Sequence, residues 1–133
     1  PEKIAEYGEA DVKRLLQDRS IIRSELKIRA TIGNARCYLK IMEAGMGAFS
    51  NYLWSFVKGS PIVEPIKSYK DHPVQSPESE SLAKDLKSKG FKFCGPVISY
   101  AFMQAVGMVN GHEIGCPRRR EVQELARSSS EVK

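Results

Sequence analysis

Two short stretches of the chain hold residue types whose spacing suits chemistry. In Lys89–Gly95, KGFKFCG, Gly90 and Gly95 bracket a run in which Phe91 and Phe93 alternate with Lys92. Gly95 opens directly onto Pro96, a residue at home in the first turn of a helix. Glycine lets a backbone approach a ligand closely, the free N–H groups of a helix start point outward, and the helix dipole favours negative charge there. With Lys89 and Lys92 adding positive charge, the arrangement suits a phosphate. Phe91 and Phe93 are expected to turn inward and pin the hairpin between its helices. An ordinary helix–helix turn with a glycine cap shares this spacing, and on spacing alone it is the simpler account.

The second stretch is GHEIGC, in which His112 and Cys116 form an H-x3-C pair. That spacing places an imidazole and a thiolate within reach of one zinc ion, but a structural zinc takes four ligands. The chain otherwise offers His72, Cys37 and Cys94, none of them in a second pair with sensible spacing. Taken alone, an isolated H-x3-C is a weak signal, and a free loop histidine and cysteine are the simpler account. His72, between Asp71 and Pro73, is expected to be a solvated loop residue without a partner, and Glu113 a surface residue.

The elements that must carry these stretches are helical nearly throughout. Glu9–Gln17 has Val12, Leu15 and Leu16 on one face and Asp11 in its first turn. Ser24–Glu43 is the longest candidate, with Ile28, Ile32, Ala35, Leu39 and Met42 at steps of three and four. Gly33 inside it invites a close helix contact, and Gly45 and Gly47 end it. Ala48–Val57 is a third helix, whose Trp54 and Phe56 belong to the core. Between Gly59 and Gln75, Pro61, Pro65 and Pro73 forbid a sustained helix, with only Ser60–Val63 hinting at extended chain. Ser76-Pro77-Glu78 then reads as cap, fixed φ and dipole-matched charge, with Ser79 a competing cap. That helix reaches about Ser88, with Leu82 and Leu86 inward and Lys84, Lys87 and Lys89 at its end. Pro96–Met108 follows, with Ile98, Phe102, Ala105 and Val106, or Val109 in its place, as the expected buried stripe. After Pro117 the chain is polar. A short helix from Arg118–Arg120 through Ala126 is expected, with Ser128–Ser130 frayed. The division is a helical core over residues 1–117 and a polar tail over 118–133.

Composition bounds the partners. The 133 residues fit one domain, and a hydrophobic fraction of 41% suffices for a core. Lys and Arg total 21 against 16 Asp and Glu, a net charge of +5 that permits a polyanion partner without demanding one. Cys37, Cys94 and Cys116 are odd in number and far apart, which speaks against a disulfide framework and for a reducing compartment, cytoplasm, nucleoid or nucleus. The amino terminus is charged and shows no secretion signal. The longest nearly apolar run, Pro96–Val109, is too short to span a bilayer. The chain begins with proline rather than methionine, so a piece of a longer protein is expected.

Several unlike motifs occur together in one order: IIRSELKIRATIGNARCYL at Ile21–Leu39, WSF at Trp54–Phe56, KGFKFCGP at Lys89–Pro96, SYAFMQAVGMVNGH at Ser99–His112, and Cys116. In this combination the chain, from about Glu9 to Cys116, resembles the 3-methyladenine DNA glycosylase I family. The resemblance implies an all-α fold of the helix-hairpin-helix DNA glycosylase type. It implies that Lys89, Gly90, Phe91, Lys92, Phe93 and Gly95 grip the DNA backbone. It implies that His112 and Cys116 are two of the four ligands of a structural zinc, and that Tyr100 and Ala101 border the base pocket. Ala101 stands where the family usually has serine. The other two zinc ligands, the pocket glutamate and the pocket aromatics of the family belong to an amino-terminal segment that finds no match here. No other carboxylate of the chain inherits the glutamate's role. The implied activity is excision of N3-alkylated adenine from double-stranded DNA in base-excision repair, by a monomer with no membrane association. The competing expectation is a non-catalytic helix-hairpin-helix DNA-binding module.

Overall fold

The structure, a computed structural model, describes residues 1–130, and the side chains up to residue 128. Among the described residues the elements run α1 (Glu2–Ala5), α2 (Glu9–Gln17), α3 (Glu25–Met42), α4 (Ala48–Ser55), β1 (Ile62–Val63), α5 (Pro77–Ser88), α6 (Pro96–Ala105), β2 (Val109–Asn110) and α7 (Pro117–Ser130), with a 3-10 turn at Tyr69–Asp71. The fold is helical, as expected, and its sheet is one parallel pair in which Ile62 sits opposite Val109 and Val63 opposite Asn110.

Local signals explain the starts of these helices. Ser24 caps α3 by accepting from the Lys27 N–H. At α5, Ser76 and Ser79 cap reciprocally: the Ser79 N–H donates to Ser76 Oγ at 3.2 Å, and the Ser76 N–H donates to Ser79 Oγ at 2.9 Å. The two serines that competed as caps in the sequence act together. Arg29 joins α2 to α3, donating to both carboxylate oxygens of Glu9 at 2.6 and 2.9 Å and to Glu25 at 2.8 Å. Arg36 reaches back to the Ala5 and Tyr7 carbonyls and so holds α1 on α3.

The core has two parts. A small one joins Val12 of α2 to Ile28 and Ile32 of α3. The larger one gathers Leu53 and Val57, Leu82 and Leu86 of α5, Phe91, Tyr100 and Met103 of α6, and Met108 and Val109. Trp54 and Phe56 pack against it half-buried. α5 and α6 pack on each other more extensively than any other two elements. They hold the interval between them, the hairpin, in place.

Four expectations need correction. α6 stops at Ala105, not Met108: Gly107 turns at φ +81°, the Met108 N–H donates back to Met103 O at 2.8 Å, and the chain leaves as β2. The buried side of α6 is Ser99, Tyr100 and Met103, while Ile98, Phe102 and Val106 are 58%, 41% and 47% exposed. α6 carries apolar residues nearly all round, so period alone could not choose its inner face. Among the described residues Gly33 makes no close helix contact, since a Cβ added there would meet nothing within 4 Å. The polar tail is one continuous helix through Ser130, not a short helix ending near Ala126. It is stapled to the sheet by Arg119, which donates to the carbonyls of Glu64 and His112, and by Asn110, whose Nδ2 donates to Arg119 O at 3.1 Å. No helix among the described residues is long and apolar enough to cross a membrane.

Candidate nucleic-acid interface

The hairpin begins where α5 unwinds. The Phe91 N–H donates to Leu86 O at 3.0 Å and the Gly90 N–H to Lys87 O at 3.0 Å, a closed helix end in which Gly90 takes φ +93°. A Cβ on Gly90 would lie 3.3 Å from Cys37 Sγ of α3. Both the backbone angle and the neighbour therefore call for glycine. Phe91 turns inward, 9% exposed, and its ring stacks on Phe49 at 6.3 Å. Phe93 does the opposite of what its spacing suggested. It is 52% exposed, and its backbone adopts φ +58°, a conformation rare for a residue with a Cβ.

The hairpin backbone is anchored from α3. Asn34 Nδ2 donates to Lys92 O at 2.9 Å, and its Oδ1 accepts from the Lys92 N–H at 2.8 Å. Past this anchor the Cys94 thiol lies 3.4 Å from Lys92 O, and burial pushes its pKa up. Ser99 Oγ donates to Cys94 O at 3.3 Å and the Ser99 N–H to Gly95 O at 2.8 Å, which seats the hairpin on the first turn of α6.

The two hairpin lysines differ. Lys89 leans back onto α5 and α4, 3.4 Å from Asp85 and 5.3 Å from the centre of the Tyr52 ring. Lys92 is exposed and has no ion pair among the described residues. Lys92, Phe93 and Gly95 share a cleft of about 760 Å³ with Lys84 and Lys87 of α5. Sequence reading placed Lys84 and Lys87 only as dipole-matching cations at a helix end. Their spacing of three residues is the signal that puts both on one side. Asn34 it missed altogether, because nothing local marks a partner 58 residues away.

The two residues read as pocket-forming part company. Tyr100 is 2% exposed inside the larger core, and its hydroxyl finds no hydrogen-bond partner among the described residues. Burial, with Glu64 and Glu78 as nearby negative charges, raises its pKa. Ala101 faces outward on the exposed apolar side of α6 with Ile98 and Phe102.

His112 and Cys116 come together, with Cys116 Sγ 3.9 Å from His112 Nδ1, both half-buried. They line a cleft of about 620 Å³ with Asn110, Gln104 and Glu113. Gln104 fills the space a side chain at Gly111 would need, since a Cβ there would sit 2.6 Å from its Nε2. His72, expected to stand apart, reaches the rim of the same cleft, its Cε1 3.7 Å from that Cβ position. The nitrogen and sulfur donors of the pair suit zinc and their separation suits two corners of a tetrahedron. Among the described residues no three His, Cys, Asp or Glu side chains gather closely enough to hold a metal.

A family model for methyladenine glycosylase matches residues 1–120. The chain is 47% identical over 116 residues to DNA-3-methyladenine glycosylase 1 of Escherichia coli (strain K12), covering 87% of this chain and 62% of that protein. It is 38% identical over 117 residues to DNA-3-methyladenine glycosylase of Haemophilus influenzae, covering 88% and 63%. A crystal structure of 3-methyladenine DNA glycosylase I superposes with a TM-score of 0.83 at 47% identity, over 88% of this chain and 64% of that one. A variant of such an enzyme in complex with 3-methyladenine superposes at 0.84 with 37% identity, over 90% and 63%. The chain thus spans less than two thirds of the length of these relatives.

Proposed function

The chain belongs to the methyladenine glycosylase family, and from that membership we propose that it is the DNA-gripping part of a DNA-3-methyladenine glycosylase that excises N3-alkylated adenine from double-stranded DNA. The observation that carries the reading is the hairpin. An exposed Lys92 and an exposed Phe93 lie between two packed helices, in one cleft with Lys84 and Lys87.

A base inside a duplex is out of reach of an active site, so such an enzyme extrudes the nucleotide, at a cost of roughly a few kcal/mol that is smallest for damaged bases. The hairpin's part is to hold the flanking phosphates, which fixes register without reading sequence. Adenine alkylated at N3 is cationic and already a good leaving group. The pocket's task is to recognise its charge and shape and to admit water to the sugar. We assign no catalytic carboxylate in this chain. Tyr100, sunk in the core, serves as packing rather than as a lining group, and Ala101 stands at the surface where a base could approach. His112 and Cys116 would hold two positions of a structural zinc, whose chemistry would be to tie the β2–α7 connection to further ligands.

The hairpin, with Lys92 and Phe93 exposed in this chain, also supports a second reading, a helix-hairpin-helix module that binds DNA without catalysis. Release of free 3-methyladenine from methylated duplex DNA separates the two. Release by the full-length protein that carries this chain supports the enzyme reading, with the 133-residue chain alone binding DNA as its gripping part. DNA binding without release by that full-length protein, under conditions where a relative releases the base, leaves the module.

A further inference from the structure

We infer that Asn34 is the positioning residue of the DNA grip, aiming the Lys92–Phe93 peptide so that its N–H is presented to a phosphate. The inference rests on the reading of the hairpin as a DNA contact and adds to it the part that makes the contact rigid. Asn34 lies mid-way along α3, and its side-chain amide satisfies both polar groups of the Lys92 backbone, at 2.8 and 2.9 Å. One amide therefore fixes the two peptide planes that flank Lys92. In a trans peptide the carbonyl and the following N–H point in opposite directions. With Lys92 O turned to Asn34, the Phe93 N–H points away from α3, and no acceptor among the described residues takes it.

The same geometry explains Phe93. A residue with a Cβ at φ +58° is unfavourable unless its surroundings hold it there. Phe93 is half exposed, so packing of its own ring does not suffice. The constraint enters through the preceding residue, where Asn34 grips the backbone. One turn further along α3, Cys37 sits against Gly90 at the other end of the hairpin. α3 thus supplies a two-point seat, and Asn34 is the polar point.

The test measures binding of a fluorescein-labelled duplex by anisotropy over a salt series, using the whole chain. Asn34→Ala is expected to weaken binding about tenfold, because losing two hydrogen bonds lets the hairpin populate conformers that do not bind. In a Phe93→Gly background, where the left-handed backbone is no longer strained, the same Asn34→Ala change is expected to matter about threefold or less. Equal losses in both backgrounds would overturn the proposal, since general destabilisation does not depend on residue 93. Should Asn34→Ala melt near the assay temperature, Asn34→Asp replaces it. Aspartate keeps the acceptor for the Lys92 N–H but not the donor, and at salt that screens its charge it is expected to fall between the wild type and alanine. Lys92→Glu checks the underlying reading and is expected to weaken binding and flatten the salt dependence. If Lys92→Glu weakens binding and Asn34→Ala does not, positioning by Asn34 is wrong and the grip stands. If neither changes binding, the hairpin is not a DNA contact and both ideas fall together.

Discussion

The Tyr52 hydroxyl donates to Asp85 Oδ2 at 2.6 Å, joining α4 to α5 one turn before the hairpin begins. Asp85 also meets Lys89, so a phenol, a carboxylate and an ammonium form one chain across the helix ends. The hydrogen bond from Tyr52, and then Lys89, hold the Asp85 carboxyl below its usual range, while burial and the carboxylate push the Tyr52 phenol up. A group whose folded pKa is lowered stabilises the fold above its unfolded value, about 3.9 for aspartate, and loses that contribution as pH falls through the folded value. Tyr52→Phe is therefore expected to lower stability at pH 7 by about 1 kcal/mol or less, since Asp85 is partly exposed. The difference between the thermal melts of the two proteins should shrink as pH falls below about 3.9 and through the lowered folded value, and a difference that stays undiminished throughout acid titration would contradict the pairing.

Two glycines should respond in opposite ways to the same change. Gly90→Ala introduces a Cβ at φ +93° and 3.3 Å from Cys37 Sγ, with an expected loss of about 1–2 kcal/mol or more, a fall in Tm of roughly 5–10 °C. Gly33→Ala adds a methyl in open space inside a helix and should gain up to about 1 kcal/mol. Paired melting curves check both signs.

Tyr100→Phe removes a buried hydroxyl that has no hydrogen-bond partner among the described residues, so its Tm should stay the same or rise. A drop of several degrees, or a specific loss of base release without a drop, would return that hydroxyl to the pocket.

The His112–Cys116 pair offers two ligands where a structural zinc takes four. Dialysed against a weak chelator, the chain should retain far less than one zinc per molecule by elemental analysis. Stoichiometric zinc would mean that other side chains, His72 first among them, swing in to complete the site.

Where local rules act without competition, structure and sequence agree. α2 spans Glu9–Gln17, as its three apolar residues and acidic first turn imply, and α5 starts where Ser76-Pro77 says it should. α6 misled because Ile98, Phe102 and Val106 form as regular a stripe as Tyr100 and Met103, and only packing against α5 decides between them. Its early end follows from Gly107, whose left-handed φ was a weaker signal than the apolar run around it. Phe93 was read inward by alternation, but alternation holds only where the backbone is extended, and here it turns left-handed. Asn34 was invisible because its partner is remote in the chain and is backbone, which carries no residue-type signal.

The strand pair of Ile62 and Val109 also sets an order of assembly. α5 and α6 are sequence neighbours and find each other through short loops, whereas β1 and β2 close a loop that contains the proline-rich segment, both helices and the hairpin. Such a closure is entropically favourable only after its ends have been brought near by something else. The α5–α6 pair can thus form early, whereas the amides of Ile62 and Glu64, which donate to Met108 and Asn110, wait on that longer closure, as does the Asn34 anchor of the hairpin. Amide exchange should see those two open before any amide in the middle of α5.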